Sequence, residues 1–240
     1  MLKTIALTGA DMRTSIDDLV KMAADFPLVE IGLLYTANPE NRNRYPSLEW
    51  LGYATQELGE RCAVHICGGT ARQQLLAFEL TKLLGPVGRI QVNGNLSIDE
   101  VQRACSAVDY PGRQQVITQH QASNAHLASM LISDNHALLV DGFGGRGVSP
   151  ESWTRPDTGT QVQKQVGFAG GMGPDNLASE IPKIALVATG SSWVDMEGKL
   201  RPTDWFDMGL ARECASVHSD FVHGIAAAKR VMRSPDRMRM

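Results

Sequence analysis

The chain lacks most of the features that would mark it as disulfide-stapled, metal-bound or membrane-spanning. Its four cysteines, Cys62, Cys67, Cys105 and Cys214, are scattered, with no Cys-x-x-Cys pair among them. That excludes a regular disulfide framework and a cysteine-based metal site, and it favours reduced thiols. No apolar run approaches the ~18 residues that span a bilayer. The N-terminus has no basic-then-apolar signal, so a soluble, cytoplasmic protein is expected. Neither charge is in excess: 23 basic side chains face 26 acidic ones, which leaves no bulk attraction to nucleic acid or anionic lipid. No Gly-x-Gly-x-x-Gly follows the first apolar run, which weakens the case for a dinucleotide domain. Long linkers and short-period repeats are missing too.

What is present is enough for one large α/β domain: 240 residues, 43% of them hydrophobic, can bury a substantial core. Short β-rich apolar runs alternate with helical patterns, as parallel strands with crossover helices do. Strands are predicted at Thr4–Thr8, Leu28–Leu34, Ala63–Cys67, Arg89–Val92, Gln115–Gln119, Ala137–Asp141, Gln165–Ala169 and Ile184–Thr189. Between them the helical patterns are Ser15–Ala24, Ser47–Leu58, Ala71–Leu83, Ser97–Ala107, Asn124–Ile132 and Pro174–Glu180, with Thr203–Ser216 following the last strand. The count and length point to a single (β/α)8 TIM barrel with parallel strands over residues 1–218. A doubly wound open sheet shares this periodicity. Residues 219–240 read as a C-terminal extra helix with a frayed basic tail; a partner contact through the apolar face of FVHGIAAAKRVM is the other option.

Three segments carry chemistry. In Gln165 to Asn176, QVGFAGGMGPDN, an apolar run ends in Gly170-Gly171 ahead of a helix expected to open at Pro174. Glycines before a helix N-terminus let backbone N–H groups gather around an anion. After Pro182, the run Ile184 to Val187 leads into Ala188-Thr189-Gly190-Ser191-Ser192, read as a second donor-rich turn beside the first. Upstream, ALLVDGFGGRG places Asp141 at the end of an apolar run, before Gly144-Gly145-Arg146-Gly147. Strand alternation turns His65, Cys67, Gln91, Asn93 and Asp141 inward and sets Val64, Ile66, Ile90 and Val92 against helices.

In this order and spacing the three segments resemble the C-terminal half of phosphoribosylanthranilate isomerase, a tryptophan-biosynthesis barrel. That family has a strand ending in Asp, a Gly-Gly-x-Gly loop, a Gly-Gly-x-x-Pro-x-Asn turn and a strand ending in Asp-x-Ser-Ser-Gly. The resemblance implies a phosphorylated sugar ligand, an Amadori rearrangement run by proton transfers, and no cofactor. It makes Asp141 the general acid and places substrate contacts at Thr8, Gly144, Gly145, Gly170, Gly171, Gly190, Ser191 and Ser192. Arg44, in Asn41-Arg42-Asn43-Arg44-Tyr45, matches the arginine that clamps a carboxylate; a solvated surface arginine is the alternative.

Two positions depart from the pattern. Thr8 stands where the family keeps its general-base cysteine, and a threonine hydroxyl is too weak an acid for that role. Thr189 falls where the last strand's Asp belongs, and Trp193 where a glycine would be, which should narrow the pocket. A relocated base is expected at Cys67 or His65, since a thiol beside an imidazole can ionise, though both residue types also occur as inert core groups. Asp11 is read as a turn residue or a lining group at the mouth. A barrel that keeps the phosphate site without isomerase chemistry, acting as a binding protein, is the competing reading. A Schiff-base aldolase fits less well, because Lys3, Lys164 and Lys183 all precede their strands. Partners are otherwise limited to a phosphorylated small molecule, with a monomer or homodimer expected.

Overall fold

A computed structural model describes residues 2–39, 42–108, 114–130, 132–141, 148–159 and 164–233. Eight parallel strands close into a barrel in sequence order: β1 Leu2–Ala10, β2 Val29–Tyr35, β3 Cys62–Ile66, β4 Arg89–Val92, β5 Gln115–His120, β6 His136–Asp141, β7 Val166–Ala169 and β8 Ser192–Met196. Outside it pack α1 Ile16–Asp25, α2 Leu48–Leu58, α3 Gly69–Leu76, α4 Thr81–Leu84, α5 Ile98–Ala107, α6 Leu177–Val187 and α7 Met208–Arg233. Three of the helices, α1, α2 and α5, start at a serine that caps them. Ser15, Ser47 and Ser97 accept hydrogen bonds from the backbone N–H groups of Asp18, Trp50 and Glu100, each satisfying a donor that the helix cannot.

Alternation along the strands divides the core in two. Val64, Ile66, Ile90, Val92, Val194 and Met196 belong to the large shell between sheet and helices. Ala6, Ile117, Ala137, Leu139 and Trp193 fill the barrel interior, as strands with opposite-facing neighbours require. Beneath them, Arg89 donates to Glu30 through Nε at 2.6 Å and lies 4.2 Å over the Trp193 ring.

The eighth strand differs from expectation. Ile184 to Val187 is the end of α6, whose buried Leu177, Ile181 and Ile184 form a stripe at helical spacing. Pro182 lies inside that helix on its exposed side and does not end it. β8 begins at Ser192, which pairs with Leu2 at the start of β1. Gly190, Ser191 and Ser192 therefore sit at the N-terminal end of the barrel, opposite Gly170 and Gly171, and cannot share an anion with them. Ser192 Oγ instead donates to Thr189 O at 3.0 Å, closing a local turn. Trp193 faces the interior rather than the mouth, made possible by Gly167, where a Cβ would lie 2.1 Å from the indole.

Smaller differences follow local chemistry. The expected Ala71–Leu83 helix is broken into α3 and α4 around Phe78, which takes a positive φ of 64°. A 3-10 segment, Ala122–Ala128, stands where a helix was expected after β5. Residues 219–233 continue α7 without a break. Among the described residues no helix is long and apolar enough to cross a membrane.

Candidate active site

A cavity of about 650 Å³ opens at the carboxyl ends of the strands, the end where barrels of this kind carry their chemistry. Asp141, Ala169 and Asp195 lie in one register across β6, β7 and β8, so two acids face the cavity with only a methyl group between them. Across from them stand His65 and Gln91, themselves paired in register on β3 and β4.

Asp195 is buried, with a small part of it open to the cavity. Its Oδ1 accepts a hydrogen bond from Thr8 Oγ1 at 2.6 Å, and Gly32 leaves room for that hydroxyl, because a Cβ there would fall 2.1 Å from it. Burial pushes the carboxyl up to about 6, opposed by the Thr8 hydrogen bond and by Arg89 and assisted by Glu30 and Asp141. A carboxyl group that titrates there can both hold and give up a proton near neutral pH. Asp141 is also buried, at the end of β6.

Cys67 and His65, the candidates for a relocated base, are both held in their neutral forms. The Cys67 thiol donates to the backbone carbonyl of His65 at 3.5 Å and accepts from Asn93 Nδ2 at 3.3 Å. Burial raises it to about 11, so it stays protonated. Burial likewise lowers His65 to about 4, leaving a neutral imidazole whose Nδ1 accepts from Gln91 Nε2 at 3.2 Å. Gln91 uses its second N–H on Asn93 Oδ1 at 3.0 Å. This is a fixed polar wall rather than a thiolate–imidazolium pair. Cys67 lines an adjoining cavity of about 260 Å³ with Tyr45 and Gly68.

Gly170 and Gly171 follow β7 with positive φ values of 135° and 58° and line the cavity. Asn176 braces their turn: its Oδ1 accepts from Gly173 N at 2.9 Å and its Nδ2 donates to Gly171 O at 3.0 Å. α6 opens after Asn176, not at Pro174. The loop after β8 supplies Glu197, Gly198, Lys199 and Arg201. Arg44 reaches the cavity from the segment before α2 and donates to Glu197. Lys199 pairs with Asp175 at 2.6 Å. Arg201 pairs with Asp11 at 2.7 Å, and Asp11 also accepts from Phe206 N at 2.9 Å. Asp11 is thus a buried brace between the loops after β1 and β8. Gly144 and Gly145 lie outside the described residues.

Sequence reasoning missed Asp195, Glu197, Lys199 and Arg201, all of which follow from the misplaced last strand. The signal was Trp193-Val194-Asp195-Met196, an alternating run ending near an acid and followed by Gly198. The acid sought at Thr189 is supplied by Asp195. Among the described residues no group of three or more His, Cys, Asp or Glu is placed to hold a metal ion.

No protein-family model matches the chain, and no curated protein matches it. Solved structures do. Phosphoribosyl anthranilate isomerase from Thermus thermophilus superposes with a TM-score of 0.63 at 16% identity, over 91% of this chain and 99% of that one. The Thermotoga maritima enzyme gives 0.62 at 15% identity, over 92% and 100%. A phosphoribosyl anthranilate isomerase in complex with reduced 1-(o-carboxyphenylamino)-1-deoxyribulose 5-phosphate gives 0.61 at 14% identity, over 92% and 100%. At these identities the likeness is one of fold: the chain is a (β/α)8 barrel of the shape those isomerases have.

Proposed function

We propose that this barrel binds a phosphorylated sugar derivative and isomerises it by proton transfer, with Asp195 and Asp141 as the two groups that exchange protons with it. The observation that carries this reading is the pair of buried acids held in one register at the carboxyl end of the barrel. An aldose-to-ketose shift of the Amadori type needs one group to protonate the ring oxygen as the ring opens and another to take the proton from C2. Asp141 fits the first role and Asp195 the second, in place of the cysteine for which Thr8 is substituted. Thr8 is a positioning residue: its hydroxyl holds the Asp195 carboxylate and favours its ionised form. Neither step needs an electron acceptor, so the reading calls for no redox cofactor.

The anion site is revised to Gly170 and Gly171 after β7 with Gly198 and Lys199 after β8. Lys199 and Asp175 form a surface pair, 36% and 65% exposed, and solvent-screened pairs of this kind hold so weakly that a phosphate can compete for the lysine. The whole reading is tested by incubating the protein with ribose 5-phosphate and N-substituted ribosylamine 5-phosphates in D2O and following by NMR the loss of the C2 proton and the entry of deuterium at C1 of the ketose product. Exchange that is lost in both Asp141→Asn and Asp195→Asn supports it. A thermal shift with the same compounds but no exchange in the wild type would favour the non-catalytic binding barrel. No shift and no exchange would remove both.

A further inference from the structure

We infer that the part of the ligand nearest Arg44 is not a carboxylate but a neutral or cationic hydrogen-bond donor, such as an amide, amine or hydroxyl group. The inference rests on the phosphosugar reading and narrows its substrate class. Among the described residues three cations line the cavity, Arg44, Lys199 and Arg201, and each is paired with a carboxylate of the chain, from Glu197, Asp175 and Asp11. They differ in what an incoming anion would meet. Asp175 lies outside the cavity lining and is exposed, so Lys199 can turn to a phosphate at the rim. The Arg201 pair is sealed, its side chains 5% and 0% exposed.

At Arg44 the partner is itself part of the cavity wall. Glu197 follows Asp195 by two residues, and its backbone carbonyl accepts from Leu200 N at 2.9 Å as the 3-10 turn Gly198–Leu200 closes. Its side chain lines the cavity together with Arg44, and the Arg44 bond is what holds the carboxylate there. A ligand carboxylate seated there would face Glu197 directly, and like charges in a partly desolvated site repel. Glu197 Oε1 accepts from Arg44, whereas Oε2 has no donor among the described residues. A ligand N–H or O–H would supply one. Among the described residues the cavity thus offers an anion its place at the β7–β8 rim, and Glu197 offers a ligand an acceptor at the Arg44 end.

Titration calorimetry on the full-length protein reads this directly, with reduced 1-(o-carboxyphenylamino)-1-deoxyribulose 5-phosphate and its carboxamide counterpart as probes, since both carry the same phosphate. The wild type should bind the carboxamide at least about tenfold more tightly. Glu197→Gln, checked for an unchanged melting temperature, should close or invert that gap by strengthening the carboxylate probe, and adding Arg44→Ala should remove the gain. Equal or tighter binding of the carboxylate probe by the wild type overturns the inference, as does a ratio that Glu197→Gln leaves unchanged. Ribose 5-phosphate separates this claim from the reading beneath it. If it binds while neither probe does, the Arg44 claim fails and the phosphosugar reading stands; if none of the three binds, the phosphosugar reading fails and takes the claim with it.

Discussion

The Asp195 carboxyl is held between opposing influences: enclosure raises it to about 6, while the Thr8 hydroxyl, donating at 2.6 Å, favours the charged form. If Asp195 acts as the base, it must be deprotonated to work, so deuterium exchange should fall as pH drops through about 6. Thr8→Val keeps the shape and withdraws the donor. The acid limb should then move to higher pH, and a limb that stays in place would show that the hydroxyl does not tune this group. Asp195→Asn should cost about 10²–10⁴-fold in exchange, the usual weight of a positioned acid or base. Inward-facing His65, Gln91 and Asp141 were legible from alternation alone. The protonation states were not, because they depend on partners that only the closed barrel brings near. Cys67 and His65 looked like a reactive couple in sequence, yet the thiol bonds a backbone carbonyl and the imidazole bonds an amide.

Among the elements, the α6–β8 boundary shows where periodicity misleads. Ile184 to Val187 is a short apolar run after a proline, a combination that suits a strand as well as a helix end. Burial of Leu177, Ile181 and Ile184 on one face decides for the helix. That one shift moved Gly190, Ser191 and Ser192 to the far end of the barrel and hid Asp195, while the seven earlier strands stood within one or two residues of their predicted places. β8 then depends on β7 for space. Gly167→Ala would put a Cβ 2.1 Å from the Trp193 indole, and overpacking of this kind costs about 1–3 kcal/mol or more. Urea unfolding should show that loss and should recover part of it in Gly167→Ala with Trp193→Leu; no rescue would mean that the two side chains do not compete. Between loops, the buried Asp11–Arg201 pair makes a similar claim. Asp11→Ala leaves a buried guanidinium without its carboxylate, which costs about 3–5 kcal/mol, and it frees the Phe206 N–H as well. A midpoint within error of wild type would refute that role.

Across the whole molecule, three histidines on separate elements are kept neutral by burial: His65 on β3 and His218 on α7 at about 4, and His136 on β6 at about 3. His136 is also held from both sides, with Lys164 Nζ 2.7 Å from Nδ1 and Thr118 Oγ1 2.8 Å from Nε2, and the neighbouring ammonium adds to the lowering. An unfolded histidine titrates near 6.5, so below that pH the unfolded chain binds protons that the folded one refuses. Stability is therefore complete above about 6.5 and falls as pH drops toward 4. Asp195 acts in the other direction. Raised from 3.8 to about 6, it takes up a proton in the folded state before the unfolded state does, and so offsets part of the loss over that interval. Three groups outweigh one, and the net change from pH 6.5 to 4.5 should be a loss of about a few kcal/mol. Urea midpoints at the two pH values measure it. Asp195→Asn removes the opposing contribution and should steepen the decline; a decline that stays the same, or a midpoint flat across the interval, would mean that these side chains are not held in the protonation states described.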